Sequence, residues 1–203
     1  MRAQILTFHV TYKGLEDKIW RDVQVSSTSY LDQLCYLVLA AFDTMACHLF
    51  DVQCGQQHYE LPDEDLEEED FLDVGVFHLY RLKLKPGDEM TMNYDFGVGQ
   101  VFRMVLVSAE PMPTGGSKHY PIIADGAGSG ILDDLHVSEM AELVAQIDAR
   151  GCTDTPVFYQ DREEPWDYRR FDLKEANAHL KERLREIADG YASLWDIYDE
   201  EDE

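Results

Sequence analysis

Gln4–Phe42 reads QILTFHVTYKGLEDKIWRDVQVSSTSYLDQLCYLVLAAF. Leu6, Phe8, Val10 and Tyr12 alternate with Thr7, His9 and Thr11, the period-two pattern of a strand with one face on a core. Lys13-Gly14 opens a turn, and Ile19–Val25 resumes the alternation with Ile19, Val23 and Val25 in register, so the two runs pair as a hairpin. Ser29 then stands as a helix cap, with Asp32 three residues on to return the bond. Leu31, Leu34, Cys35, Val38 and Phe42 make one buried stripe on a helix reaching Phe42, and Leu37, Leu39 and Ala41 make it apolar almost all round. Such a helix belongs across a sheet, inside the domain.

Reading outward, His48–Gln53 and Gln57–Leu61 flank Cys54-Gly55-Gln56 as a second hairpin, and Val76–Leu84 reads as extended, alternating structure. Glu89–Tyr94 and Gln100–Ala109 form a third hairpin around Gly97-Val98-Gly99. Pro111–Gly116 and Ala124–Gly130 (ADGAGSG) read as loops, the second flexible. Two helices close the chain. The first carries Met140, Leu143, Val144 and Ile147, with Ser138 as cap and Gly151 as stop. The second opens at Asp172 with Glu175, turns Leu173, Leu180, Leu184 and Ile187 inward, and stops at Gly190. Hairpins followed by helices make an α+β fold: an antiparallel or mixed sheet with a packed helix, β-grasp-like, and a helical C-terminal part. The domain reading is an α+β unit over residues 1–150 and a helical extension over 151–203 packed on it, ending in a disordered acidic tail at 199–203.

The 203 residues hold 41 acidic and 17 basic side chains, a formal charge of −24, yet 45% are hydrophobic, enough to fill a core. No apolar run reaches the roughly 18 residues a membrane span needs. The N-terminus MRAQILTFHVTYKG has no export signal, so a cytoplasmic protein is expected. Seven of the eight residues Asp63–Asp70 and all five of Asp199–Glu203 are acidic, and together they carry 12 of the 24 net negative charges. These blocks read as a solvated loop and a frayed tail, with a docking strip for a basic protein partner as the sharper alternative. Direct nucleic-acid binding is disfavoured, because this surface repels phosphate. The Asp63–Asp70 run is no EF-hand, because Glu68 stands where the sixth-position glycine is required.

Candidate chemistry is sparse. Cys47, His48, Cys54 and His58 fall within 12 residues, but the spacing is unlike a zinc knuckle and the alternation sends neighbours to opposite faces. No metal set and no cofactor are therefore read. ADGAGSG lacks the endings of a phosphate-binding loop. Asp133-Asp134 is a carboxylate pair able to hold a metal or move a proton, or simply to stay solvated. Tyr94-Asp95-Phe96-Gly97 places Asp95 between two aromatics, either as a base in a partly apolar pocket or, the favoured reading, as a turn residue bonded to nearby amides. No catalytic residue is assigned.

Several of these strings together resemble the plasmid Ri ORF-three-like family, small bacterial, archaeal and plasmid-borne α+β proteins without an established activity. The resemblance runs through Ile19-Trp20-Arg21, the helix ending at Phe42, His48-Leu49, Tyr94-Asp95-Phe96-Gly97, Tyr120-Pro121, Gly126–Gly130, Ile131-Leu132-Asp133-Asp134, and Phe171-Asp172-Leu173 with Asn177 and Leu180. This chain departs from the family pattern after YDFG, where Val98, Gln100 and Phe102 replace Asp, Trp and His. It departs again after the ILDD string, where Leu135, His136 and Val137 replace Cys-Gly-Gly. The resemblance implies a candidate groove of Trp20, Arg21, His48, Tyr94, Asp95, Asp133 and Asp134, with Arg21 the best placed for a structural job such as pairing a carboxylate. The depleted polar positions favour a non-catalytic interaction module with an acidic surface. The alternatives are a hydrolytic or metal-assisted enzyme using Asp95 or Asp133/Asp134, and a DNA mimic that binds a nucleic-acid-binding protein.

Overall fold

The computed structural model describes residues 2–61, 71–153, 156–159 and 162–199. Strands β1 (Gln4–Tyr12) and β2 (Trp20–Ser26) pair antiparallel with Leu6 opposite Val25 and Phe8 opposite Val23, the register their alternation dictates. Helix α1 (Leu31–Ala41) follows, with eight of its eleven residues buried. The second hairpin is β3 (Phe50–Cys54) with β4 (Gln57–Glu60), and a two-residue β5 (Leu72–Asp73) lies parallel beside β4. Strands β6 (Glu89–Tyr94) and β7 (Gln100–Pro111) form the third, and β8 (Ile122–Ala127) pairs with β2. The result is one mixed eight-stranded sheet ordered β5-β4-β3-β6-β7-β1-β2-β8, an α+β fold. One sheet face is core: Phe8, Val10, Val23, Phe50, Val52, Met92, Phe102 and Met104 are buried with Leu34, Leu37 and Val38 of α1. Burying each such side chain stabilises the fold by roughly 1.5–3 kcal/mol.

Helix α2 (Val137–Arg150) turns Met140, Leu143, Val144 and Ile147 inward. Strands β9 (Pro156–Tyr159) and β10 (Arg162–Pro165) form a separate hairpin, and α3 (Leu173–Ala178) and α4 (Leu180–Asp199) end the described chain. None of the helices among the described residues is long and apolar enough to cross a membrane.

Several expectations need correction. Val76–Leu84 is no strand: it turns twice in short 3-10 segments at Val74–Val76 and Leu79–Leu82, and the Leu79 and Tyr80 amides donate to the Ser29 and Ser27 carbonyls ahead of α1 instead of extending the sheet. The first helix is capped one residue later than expected, the Tyr30 amide donating to Gln33 Oε1 at 3.1 Å. In α2, His136 rather than Ser138 is the cap, its Nδ1 accepting the Ser138 amide at 3.2 Å. The closing helix breaks at His179 and then runs straight through Gly190. Pro156–Tyr159 and Arg162–Pro165 pair as antiparallel strands inside the segment expected to be helical. Finally, ADGAGSG is no flexible loop, since its first four residues are β8. A Cβ on Gly126 would sit 2.8 Å from both Arg21 Cδ and Phe171 Cζ, and Gly128, at φ +79°, has the Lys18 carbonyl where a side chain would start. These glycines allow close approach, which composition cannot distinguish from mobility. The acidic run Asp63–Asp70 and residues 200–203 lie outside the described residues.

Candidate functional site

Three segments far apart in sequence meet at one end of the sheet. The first is the turn after β6. Asp95 adopts the left-handed conformation at φ +54°, and its Oδ1 accepts the amides of Gly97 at 3.1 Å and Val98 at 3.3 Å. The turn reading of YDFG is therefore right for Oδ1. The second is residues 42–49, between α1 and β3. The Leu49 carbonyl accepts the Asp95 amide at 3.1 Å, and Arg183 and Tyr191 of α4 donate to the carbonyls of Thr44 and His48, both at 2.6 Å. The third is residues 130–134, after β8. The Ile131 amide donates to the Phe42 carbonyl at 2.9 Å, and the Met45 amide donates to Asp133 Oδ2.

His48 Nε2 then lies 3.6 Å from Asp95 Oδ2 and 3.6 Å from Asp134 Oδ1. Neither distance is a hydrogen bond. His48 Nε2, Asp95 Oδ2, Asp133 Oδ1, Tyr12 Oη and Gln100 Oε1 are all shielded from solvent with no hydrogen-bond partner. Buried polar groups are normally answered, and each unanswered one costs about 1–3 kcal/mol. Desolvation raises the Asp133 pKa above the ordinary carboxylate range; the Met45 amide and His48 oppose the shift, while Asp134 and Asp95 add to it. Burial, with the Asp133 charge behind it, pushes the Tyr12 phenol up to about 12. Tyr94 is likewise raised by burial first and Asp133 second, and its hydroxyl accepts the Cys47 amide at 3.3 Å.

Of the seven residues singled out from sequence, the structure brings five together: His48, Tyr94, Asp95, Asp133 and Asp134. Trp20 and Arg21 are elsewhere. Trp20 lies tilted against His9 at 5.3 Å between ring centroids, on the sheet face opposite the core. Arg21 is fully buried and serves packing. Its Nε donates to the Ala41 carbonyl at 2.8 Å, its Nη1 donates to Trp20 and Ala127 at 2.8 and 2.7 Å, and Phe171 lies 4.1 Å from its guanidinium.

The Cys47–His58 run is split between two clusters. His48 joins Asp95 and Asp134, whereas His58 Nε2 pairs with Asp51 at 3.2 Å and Glu60 at 3.1 Å on the open sheet face. Each trio has donor atoms close enough to share one cation. The sequence reading finds no metal set, and residues at 48, 95 and 134 have no local spacing by which one could be recognised. Sequence reasoning passed over Met45 and did not read the exposure of Leu49 and Phe96; these three large hydrophobics are left 55%, 41% and 57% exposed on the loops that build this centre. No periodicity marks them, since each sits outside a helix or strand.

A one-faced sheet built from hairpins, closed at one end by an imidazole–carboxylate centre, defines an α+β protein whose polar cluster is made of loops. The chain belongs to the plasmid pRiA4b ORF-3-like protein family, which matches residues 4–175. Its fold is also that of a crystal structure of a protein of unknown function, MM3350 from Methanosarcina mazei Go1. The two share 18% identity and a TM-score of 0.68, over 86% of this chain and 98% of that one. No curated protein matches the chain.

Proposed function

We propose that this protein is a non-catalytic interaction module that docks a basic protein partner at the sheet end bearing His48, Asp95, Asp133 and Asp134. One observation carries the reading: Met45, Leu49 and Phe96 stay exposed on the loops that hold these carboxylates. Apolar side chains beside acidic ones suit a partner segment that presents basic and apolar residues together, with the −24 charge steering it in. The acidic run Asp63–Asp70 adds to that field. A second reading, an enzyme centred on Asp95 or Asp133-Asp134, draws support from the meeting of those two motifs around His48. The hollows lined by Arg2, Ser27 and Tyr80, and by Asp172, Leu173 and Asn177, contain none of these groups.

The test captures partners from source-cell lysate on the intact protein, on Phe96→Ser and on a variant with Asp63–Asp70 neutralised, each at low and high salt. The docking reading expects a basic protein held by the intact chain, lost in high salt and weakened on both variants. Equal recovery on all three baits overturns it. A captured nucleic-acid-binding protein that free DNA displaces would shift the reading to a DNA mimic.

A further inference from the structure

We propose that His48 Nε2, Asp95 Oδ2 and Asp134 Oδ1 form a three-ligand site for a divalent transition-metal ion of the zinc type. This goes beyond the docking reading and does not depend on it. The His48 nitrogen stands 3.6 Å from each carboxylate oxygen, and all three donor atoms lie within 4.8 Å of one another. Ligands about 2.0–2.2 Å from a tetrahedral ion are roughly 3.3–3.6 Å from each other, so the two His48 spacings are too long for hydrogen bonds and right for a shared cation.

Burial is the independent observation. The Asp95 side chain is 7% exposed, and its Oδ2 and His48 Nε2 are both shielded without a hydrogen-bond partner. Asp95 Oδ1 is committed to the amides of Gly97 and Val98, which holds the carboxylate so that Oδ2 faces the imidazole. Metal-binding carboxylates are oriented by hydrogen bonds of this kind. Asp134 is 68% exposed, which leaves an approach from solvent and a fourth coordination position for water or a ligand. One imidazole with two carboxylates is a borderline donor set, better matched to zinc than to magnesium or calcium, which prefer oxygen alone. The Asp51–His58–Glu60 trio has closer spacing, but there His58 already pairs with both carboxylates, so the ion-free state is answered.

The experiment titrates chelator-treated full-length protein with Zn²⁺ by calorimetry and with Co²⁺ by visible absorption. The expected result is one ion per chain with a four-coordinate Co²⁺ spectrum. His48→Gln and Asp134→Asn weaken binding by at least about 10- to 100-fold, the range for disturbing even the outer shell of a site. Asp51→Asn leaves it unchanged. Asp134→Asn alters an exposed side chain, so its circular dichroism and melting match the parent and a loss of binding is not a loss of fold. No saturable binding, equal binding by His48→Gln, or loss on Asp51→Asn alone each overturns the site. Lysate capture repeated on chelator-treated protein separates the two proposals. Capture without ion binding leaves docking standing alone, and ion binding without capture does the reverse.

Discussion

Arg21 and the His48–Asp95–Asp133 centre are both charge brought inside the same small sheet, and they are treated in opposite ways. Around Arg21 the chain supplies carbonyls from Ala41, Trp20 and Ala127, a ring on the guanidinium, and glycine at 126 so that everything closes. At the sheet end, three loops bring carboxylates and an imidazole together and leave His48 Nε2, Asp95 Oδ2 and Asp133 Oδ1 unanswered. A buried charge whose donors are matched holds a fold together. Buried acceptors without donors cost stability instead.

That contrast can be broken by substitution, and the largest effect belongs to Arg21. Arg21→Leu strips the Ala41, Trp20 and Ala127 carbonyls of a donor and is expected to destabilise by about 3–5 kcal/mol in urea unfolding. Gly126→Ala crowds the same clamp against Arg21 and Phe171 and is expected to cost about 2 kcal/mol, read as a lower denaturation midpoint at unchanged slope.

Asp133→Asn is expected to have the opposite sign. Asparagine keeps an oxygen for the Met45 amide and removes a charge that Asp95 and Asp134 oppose. Because the folded Asp133 holds its proton to higher pH than the unfolded chain does, its contribution to stability is lost as pH rises from the ordinary carboxylate range through that raised value. Asp133→Asn is therefore expected to gain stability relative to the parent as pH rises above the ordinary carboxylate range, with the difference vanishing in acid, read by urea unfolding across pH. A destabilised Asp133→Asn at pH 7, in metal-free protein, would show that the centre is as well matched as the clamp. Phe96→Ser comes last. It should move stability by less than about 0.5 kcal/mol in the same unfolding assay, since the ring lies outside the core.

The two regions also differ in how far they could be read from the chain. Ile19-Trp20-Arg21 lies inside a strand whose alternation places Arg21 on the core face and Trp20 on the open one, so periodicity alone separates them. His48 and Asp133-Asp134 stand in irregular connections, and periodicity says nothing about where a loop side chain points. Asp95 shows both sides of this. Its turn role follows from a short polar side chain ahead of Gly97, whereas what its second oxygen faces, His48 from 47 residues earlier, is set by the fold. Val76–Leu84 and ADGAGSG misled for a related reason. Alternation occurs in docked connections as well as strands, and glycine marks close packing as readily as freedom.

What the sequence by itself determined was the α+β class, the three hairpins, the buried helix over Leu31–Ala41 and the family, because each rests on a local period or an ordered set of short motifs. Only the tertiary structure decided that Trp20 and Arg21 leave the group, that β8 pairs with β2, and that His48, Asp95 and Asp134 converge. Local periods are set by backbone geometry within a few residues. Convergence of loops is set by how the sheet and α4 close around them, and no spacing in the chain records it.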